Sequence, residues 1–339
     1  MGQSLEGGWE IVEMITKPPT GTGGHFSVCY RVRNSNSGKE AFLKALDFSE
    51  AMKSADRLKK LQEMLDAYIF ERDLLEKCKD RRMSRISTPI TSGSVNVGGF
   101  GDYSTVYYLI FELADGGDIR RYRSSLAEFD LKWCLGSLHH VAVGIKQLHG
   151  NGIAHQDLKP SNVLVMSTAD TRIADLGRAS DSEVPSPNDG IYSGDRNYAP
   201  VDLYFSDISI NGIERKFLTD IYLFGGLIFF YFTGVNASQA LWAQLTKDQR
   251  ALIGQTSFKQ VLPYLQFAFK GALDKLKEEV IRIAPDYADD LMELARQMCE
   301  PDPEVRGDPK WRATVVPNYD LQRVISKLNV LASSVRKTT

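Results

Sequence analysis

The chain has 339 residues, of which 43% are hydrophobic and 25% are charged, and its formal net charge is −2. A chain of this length has the material for two lobes around a sizeable core. The near-neutral charge argues against a nucleic-acid partner that is held by bulk charge.

The N-terminal stretch MGQSLEGGWEIVEM has neither a basic start nor an apolar run, so it does not predict a secretion signal. The most apolar segment, residues 223–235, is too short to cross a bilayer and is typical of a buried core helix. The four cysteines lack Cys-x-x-Cys spacing, which favours free thiols in a reducing compartment over disulfides or a zinc site. We therefore expect a cytoplasmic protein without a membrane partner.

The first half of the chain is predicted to form short strands and one long helix. No Gly or Pro interrupts residues 50–78. Their apolar positions Leu61, Leu65, Ile69 and Leu75 fall near helical spacing, which predicts a single amphipathic helix. Runs rich in apolar residues and bounded by turn-forming residues predict strands at residues 9–15, 27–34, 41–48, 88–97 and 104–112.

The second half of the chain is predicted to be mostly helical. Helices are expected at residues 129–150, 217–233, a run through the 240s to 270s, 286–299 and 319–335. The chain is therefore expected to be of the α+β class. A small strand-rich lobe with one long helix covers residues 8–113, and a larger, mainly helical lobe covers residues 114–335.

The stretch GIAHQDLKPSNVLV, residues 153–166, carries the residue types that phosphoryl transfer needs. In a loop, Asp157 can accept the proton of an attacking hydroxyl group. Lys159 can neutralise phosphoryl oxygens, and the side-chain carbonyl of Asn162 can bind Mg²⁺. Asp175, in IADLG, offers a second oxygen ligand for a hard cation. Alone, Asp157 is also explained as a turn cap, but its spacing from the other three residues favours the chemical role.

These motifs are similar to those of the eukaryotic-type Ser/Thr protein kinase family, and they follow the family's order over nearly the whole chain. The resemblance implies that Asp157 is the catalytic base and that Lys159 contacts the γ-phosphate. It implies Asn162 and Asp175 as metal ligands. It also implies the two-lobed protein-kinase fold as a single kinase domain, residues 8–335, with ATP and Mg²⁺ as cofactors and with protein substrates that the sequence does not identify.

The exact sequence of the loop indicates which class within the family the chain resembles. DLKP is the form that Ser/Thr kinases carry, so the acceptor is expected to be a Ser or Thr hydroxyl. HQDLKPSN and IADLGRAS resemble the motifs of stand-alone bacterial members.

The resemblance also implies supporting residues further along the chain. Asp220 is placed to support the catalytic-loop backbone. Arg306 is placed to pair with Asp202, which stands in place of the family's Glu and has a shorter side chain. The basic cluster at residues 77–85 is interpreted as a solvated helix end, with a docking patch for an acidic partner as the less favoured alternative.

The resemblance also implies a nucleotide site. Lys44, in AFLK, is placed to grip the α- and β-phosphates, with Glu71 of the long helix as its ion-pair partner. Glu63 and Glu76 on that helix are equally charged alternatives. YLIFELADGGDI resembles the hinge between the lobes, with Phe111 beside the adenine. The other implied nucleotide contacts are the glycine-loop residues Gly21, Gly23 and Gly24, the backbone of Glu112 and Ala114 for the base, and Asp118 for the ribose.

Two positions in the active region depart from the family pattern. Gln156 replaces the Arg that pairs with an activation-loop phosphate, so we expect activity that does not depend on phosphorylation of residues 178–193. Asp195 stands where the family has a Thr near the catalytic Asp and Lys. An ion pair between Asp195 and Lys159 is therefore expected, and it would alter the geometry with which a peptide substrate binds.

Two other functions stay open. A pseudokinase, which binds or scaffolds without turnover, is favoured by Asp195 and by the degenerate glycine loop, where Phe26 or Ser27 replaces the third glycine. The complete set of catalytic and metal-binding residues argues against it. A kinase for small molecules is less compatible with the DLKP motif. The segment from about 236 to 285 is longer than in a minimal kinase, and it is either a docking surface or, more simply, a set of packed helices.

Overall fold

The computed structural model describes residues 3–16, 27–98, 104–167, 170–187, 192, 194–210, 212–311, 314 and 316–335. The strands are β1 Ser4–Leu5, β2 Trp9–Ile15, β3 Ser27–Asn34, β4 Glu40–Leu46, β5 Pro89–Asn96, β6 Thr105–Glu112, β7 Gly117–Asp118, β8 Ile153–Ala154, β9 Val163–Ser167, β10 Asp170–Ile173 and β11 Ser180–Asp181. The α-helices are α1 Ser49–Lys53, α2 Arg57–Asp80, α3 Ile119–Ser125, α4 Leu131–His149, α5 Gly212–Thr233, α6 Ala237–Trp242, α7 Lys247–Leu252, α8 Phe258–Ile283, α9 Ala288–Met298 and α10 Gln322–Ser334.

The N-terminal region folds into a six-stranded antiparallel sheet with the strand order β1-β2-β3-β4-β6-β5. Alternation along β4 decides what each face of the sheet carries, since successive side chains point to opposite faces. Ala41, Leu43 and Ala45 are buried in the apolar cluster on one face. Lys44 therefore points to the other face, where α2 supplies its partner. All five strands predicted from the sequence are confirmed to within two residues at each end.

The single helix predicted over residues 50–78 is wrong in one respect, because the chain breaks it into α1 and α2. Ser54 has extended backbone angles (φ −71°, ψ 144°), and Asp56 caps α2 by accepting a hydrogen bond from the backbone N–H of Lys59. A polar N-cap is a start signal that apolar spacing does not reveal. The apolar face also differs from the prediction, since the side chain of Ile69 is exposed while Tyr68 is buried.

The C-terminal region is mainly helical, and α5 lies at its centre, in contact with α4, α6, α8 and α9. Helix α5 contains most of the apolar segment that the sequence singles out. By length and composition alone it is apolar enough to cross a membrane, but 83% of its apolar stretch is buried inside the fold. It is the core helix that the sequence predicts. The strand-rich region with α2 and this helical region together give the expected α+β architecture.

Polar caps also divide the run predicted through the 240s to 270s, which is three helices, α6, α7 and α8. Asn236 caps α6 by accepting from the backbone N–H of Gln239, and Thr246 caps α7 by accepting from that of Gln249. In both, the Gln side chain returns a hydrogen bond to the backbone of the cap residue. Helix α3, which the sequence did not predict, also begins at a polar cap, where the Asp118 side chain accepts hydrogen bonds from the backbone N–H groups of Arg120 and Arg121.

Candidate active site

The loop between β8 and β9 is fixed by one buried carboxylate, that of Asp220 on α5. Its Oδ2 accepts a hydrogen bond from the backbone N–H of His155 at 2.7 Å, and its Oδ1 accepts one from the backbone N–H of Gln156 at 2.7 Å. His149 of α4 adds a contact from Nε2 to Oδ2 at 2.9 Å. These bonds hold Gln156 at φ 61°, a left-handed conformation that is uncommon for a residue other than Gly. The core helix therefore sets the backbone shape of the loop.

Asp157, which follows directly, is surrounded by hydrogen-bond donors. Nζ of Lys159 lies 3.1 Å from Oδ1 and 3.0 Å from Oδ2 of Asp157. Nδ2 of Asn162 donates to the backbone carbonyl of Asp157 at 2.8 Å and to its Oδ2 at 3.1 Å. The backbone N–H of Asp195 donates to Oδ1 at 2.9 Å. The carboxylate is thus held in one orientation, which a base that must meet a hydroxyl group requires.

The expected contact between Asp195 and Lys159 is present. Oδ2 of Asp195 lies 3.6 Å from Nζ of Lys159, and the Asp195 side chain is 14% exposed. Oδ1 of Asp195 accepts hydrogen bonds from the backbone N–H and Nδ2 of Asn197. The Lys159 ammonium is therefore shared between the carboxylates of Asp157 and Asp195.

Asp175 sits on a second loop that hydrogen bonds join to the first. The backbone N–H of Ala174 donates to the carbonyl of Asn162 at 2.9 Å, and Nε2 of His155 contacts the carbonyl of Ala174 at 3.1 Å. Asp175 has φ 66°, again in the left-handed region. The Lys44 ammonium lowers the pKa of Asp175 to about 2, although burial acts in the opposite direction.

Lys44 joins the two lobes by pairing with one acid from each. Its Nζ donates to Oε1 and Oε2 of Glu71 at 2.7 and 2.9 Å, and to Oδ1 of Asp175 at 3.2 Å. Burial opposes the charge on Lys44, but the two carboxylates outweigh it and raise its pKa. Burial also raises the pKa of Glu71, and Lys44 counteracts that shift. Of the three candidate glutamates, Glu71 is therefore the partner; Glu63 and Glu76 are exposed.

The donor set fits a Mg²⁺ ion. Asn162 and Asp175 supply oxygen atoms, which hard cations prefer, from two loops that lie side by side. Oδ1 of Asn162 accepts a hydrogen bond from the Ser161 hydroxyl at 3.1 Å, and Oδ1 of Asp175 accepts one from Nζ of Lys44 at 3.2 Å. Two protein ligands suit an ion whose remaining positions are filled by phosphate and water.

The predicted hinge contains a brace between the two lobes. The Glu112 carboxylate lies 3.0 Å from Nη1 of Arg172 on β10 and 3.6 Å from Nζ of Lys39. The backbone of Glu112 belongs to β6, and the carbonyl of Ala114 accepts from the N–H of Gly117. The adenine contacts of Glu112 and Ala114 stay predictions.

Asp118 has two local partners. Its Oδ1 accepts from the backbone N–H groups of Arg120 and Arg121, and its Oδ2 pairs with Nη2 of Arg120 at 2.8 Å. The ribose contact therefore stays a prediction, and it would compete with the Arg120 pair. The predicted glycine-loop contacts, Gly21, Gly23 and Gly24, lie outside the residues that the structure describes.

The shortened acid Asp202 does reach Arg306. The distance from Nη2 of Arg306 to Oδ1 of Asp202 is 2.6 Å, and both side chains are 0% exposed. The guanidinium also stacks over the ring of Tyr222, 5.0 Å from its centroid, and Nη2 of Arg215 donates to the carbonyl of Asp202. Oδ2 of Asp202 has no hydrogen-bond partner among the described residues.

Sequence reasoning missed a group of contacts that involve the start of the activation segment. The basic cluster at residues 77–85 is not simply solvated, because Nζ of Lys77 lies 2.8 Å from Oδ2 of Asp181 and 3.0 Å from Oε2 of Glu183. Nε2 of Gln156 donates to Oγ of Ser180 at 2.6 Å. The acidic residues just after the DLG motif were the available signal, but their partner lies more than 100 residues earlier in the chain.

A family model for the protein kinase domain matches residues 19–311. The chain therefore belongs to the protein kinase family, and the two-lobed kinase fold that its motifs imply is confirmed. Relatives that match the chain include proteins named serine/threonine-protein kinases, so the recognition of a eukaryotic-type Ser/Thr protein kinase is confirmed as well.

The similarity to individual relatives is distant and partial. Serine/threonine-protein kinase PLK4 of Xenopus laevis is 23% identical over 215 residues, 62% of this chain and 20% of that protein. Probable serine/threonine-protein kinase PknB of Lactococcus lactis is 26% identical over 153 residues, 45% of this chain and 23% of that protein. A probable cell division protein kinase of Encephalitozoon cuniculi is 28% identical over 158 residues, 47% of this chain and 45% of that protein. The match spans less than half the length of each of these relatives.

Proposed function

We propose that the chain transfers the γ-phosphoryl group of ATP, with Mg²⁺, to Ser or Thr hydroxyls of protein substrates. The observation that carries the proposal is the pairing of two assembled clusters. Lys44 joins Glu71 to Asp175, and Asp157 lies against Lys159 on the neighbouring loop. The first cluster suits nucleotide phosphates, and the second suits the acceptor hydroxyl.

In the proposed reaction the acceptor oxygen bonds to the γ-phosphorus while the bond from that phosphorus to the leaving oxygen of ADP breaks. Asp157 orients the hydroxyl and accepts its proton. Lys159 places a positive charge beside the transferring group, and Lys44 holds the other phosphates. Mg²⁺, when bound to Asn162 and Asp175, supplies charge neutralisation at the phosphate oxygens. Positioning and fixed charge supply most of the catalysis in this class of reaction.

The experiment that tests this function is transfer of γ-labelled phosphate from ATP, with and without Mg²⁺, to the chain itself and to a generic basic protein. Asp157→Asn should lower the rate by about a hundredfold or more, since a positioned general base contributes at least that much. Asp66→Asn, an exposed carboxylate on α2, is the matched control. If the parent is silent while ATP still raises its melting temperature, the chain is a pseudokinase and the proposal fails.

We also infer that turnover does not require phosphorylation of the activation segment. Gln156 is buried, and its Nε2 donates to Oγ of Ser180 at 2.6 Å and to the carbonyl of Arg178 at 3.3 Å. Nζ of Lys216 donates to the same Ser180 hydroxyl at 3.0 Å. These contacts need no phosphate. Equal turnover before and after phosphatase treatment, with removal of phosphate checked by mass spectrometry, is expected; a large loss contradicts the inference.

We further propose that this protein acts in the cytoplasm on protein substrates, without a nucleic-acid or membrane partner. The formal net charge of −2 and the burial of α5 support this proposal. Fractionation of cells that express the chain tests it. Recovery of the protein in the soluble fraction, unchanged by nuclease treatment, is expected, and sedimentation with membranes overturns it.

A further inference from the structure

Helix α2, which carries Glu71, is tied by charge to the activation segment. Nζ of Lys77 lies 2.8 Å from Oδ2 of Asp181 and 3.0 Å from Oε2 of Glu183. The Asp181 side chain is 2% exposed and that of Glu183 is 74% exposed. Since solvent screens the exposed acid far more than the buried one, the pair with Asp181 is the stronger tie.

Asp181 is itself held firmly in place. It lies on β11, where it pairs with Ile153 of β8, the strand that leads directly into the catalytic loop. Its second oxygen, Oδ1, accepts from the backbone N–H of Glu183 at 2.9 Å, and the N–H of Ser182 donates to the carbonyl of Gly152 at 2.9 Å. An anchor on Asp181 is therefore an anchor on the scaffold of the catalytic loop.

Lys77 and Glu71 belong to one continuous helix. They are six residues apart in sequence, which at the rise of an α-helix is about 9 Å along its axis. Between them, Leu74 and Leu75 are buried in the main apolar core, and Cys78 beside Lys77 is buried as well. Apolar packing alone permits small sliding and rotation of a helix, whereas a directed ion pair selects one position.

We propose that Lys77 is a positioning residue for phosphoryl transfer: its ion pair with Asp181 holds α2 where Glu71 meets Lys44. The proposal rests on the proposed kinase function. The pair also agrees with the neutral side chain at Gln156, which cannot bind an activation-segment phosphate. In its place, the Asp181 carboxylate of the same segment supplies an anion, and Lys77 of α2 binds it. Burial opposes the charge of Lys77, but the hydrogen bonds to Asp181 and Glu183 outweigh it and raise its pKa, in keeping with a stable pair.

The test compares kcat and the KM for ATP in five variants: K77M, D181N, the double variant K77M/D181N, K77R and K59M. K77M and D181N should each lower kcat/KM by about tenfold or more, because a misplaced positioning group is costly even far from the reacting atoms. K77R keeps the charge and should stay within about threefold of the parent. K59M changes an exposed lysine on the same helix and is the matched control.

The double variant decides whether the two residues act through each other. If they do, its loss matches that of either single variant, because the second change removes nothing further. Additive losses overturn the proposal, and so does parent-like activity in D181N. Melting temperatures of the variants distinguish a loss of positioning from a loss of folding. If K77M does not fold, the activities of D181N and K77R decide the test. A parent without turnover refutes the kinase function instead, so the two failures are distinguishable.

Discussion

The backbone N–H of Asp195 donates to Oδ1 of Asp157 at 2.9 Å, while the Asp195 carboxylate lies 3.6 Å from Nζ of Lys159. Asp195 thus holds the Asp157 carboxylate through its backbone and attracts the Lys159 ammonium through its side chain. The backbone contact is available to any residue except proline at this position, whereas the side-chain contact depends on the charge.

Asp195→Asn is therefore expected to raise kcat/KM for a protein substrate by about threefold, since it removes an acid that competes for Lys159 at a partly exposed site. The backbone N–H and its bond to Asp157 remain. Steady-state kinetics with parent and variant measure the effect. A fall in kcat/KM would mean that the Asp195 charge assists the reaction, for example by contacting the substrate.

Asp175 is expected to make stability depend on pH in the acid range. Lys44 lowers the folded-state pKa of Asp175 from the ordinary 3.8 to about 2, so its contribution to folding is present above the unfolded value and is lost as the pH falls through the folded value. The difference in unfolding free energy between parent and Asp175→Asn should therefore shrink as the pH falls from 3.8 to about 2. Urea unfolding at a series of pH values measures it.

The matched background for that measurement is Lys44→Met, which removes the main cause of the shift. In this background, Asp175→Asn should show a much weaker pH dependence in the same range. A difference between parent and Asp175→Asn that instead grows towards low pH contradicts the assignment.

The buried pair of Arg306 and Asp202 is expected to matter for folding. Arg306→Met leaves Asp202 buried without its cation, which should cost about 3–5 kcal/mol of unfolding free energy. Arg296→Met is the matched control on α9, since Arg296 is 52% exposed and pairs with Glu293. It should cost less than about 1 kcal/mol. Equal effects of the two changes, by urea unfolding, would contradict the burial argument.

Two glycines give opposite predictions for the same substitution. A Cβ at Gly225 on α5 would overlap Sγ of Cys299 and lie 2.7 Å from Cβ of Met298, so Gly225→Ala should destabilise by about 1–3 kcal/mol. A Cβ at Gly136 on α4 would meet nothing within 4 Å, so Gly136→Ala should stabilise by about 0.5–1 kcal/mol through helix propensity. Thermal unfolding of both variants checks the pair, and a stable Gly225→Ala variant would show that α5 and α9 can separate.

The sequence was most informative where the chemistry is local. Asp157, Lys159 and Asn162 lie in one short loop, so their spacing alone indicated that they meet. Strands were predictable because alternation such as that of β4 is a property of neighbouring residues. The helix start at Asp56 and the capping boxes of α6 and α7 were missed because single polar caps carry a weaker signal than apolar spacing.

What the sequence could not supply was pairing over distance. Charge alone did not distinguish Glu71 from Glu63 and Glu76; only the placement of α2 against β4 did. The contact from Lys77 to Asp181 joins residues 104 positions apart, and a lysine in a basic cluster is more often solvated than paired.

The contacts of Asp220 make catalytic activity sensitive to small changes in core packing. Its carboxylate receives bonds from the loop at His155 and Gln156 and from α4 at His149, so α4, α5 and the catalytic loop meet at one point inside the core. A core substitution that displaces α4 against α5 by a few tenths of an ångström would be transmitted directly to the backbone before Asp157. The turnover rate should therefore respond to a change in helix packing more strongly than the melting temperature does. Variants of this core should lose activity while they remain folded.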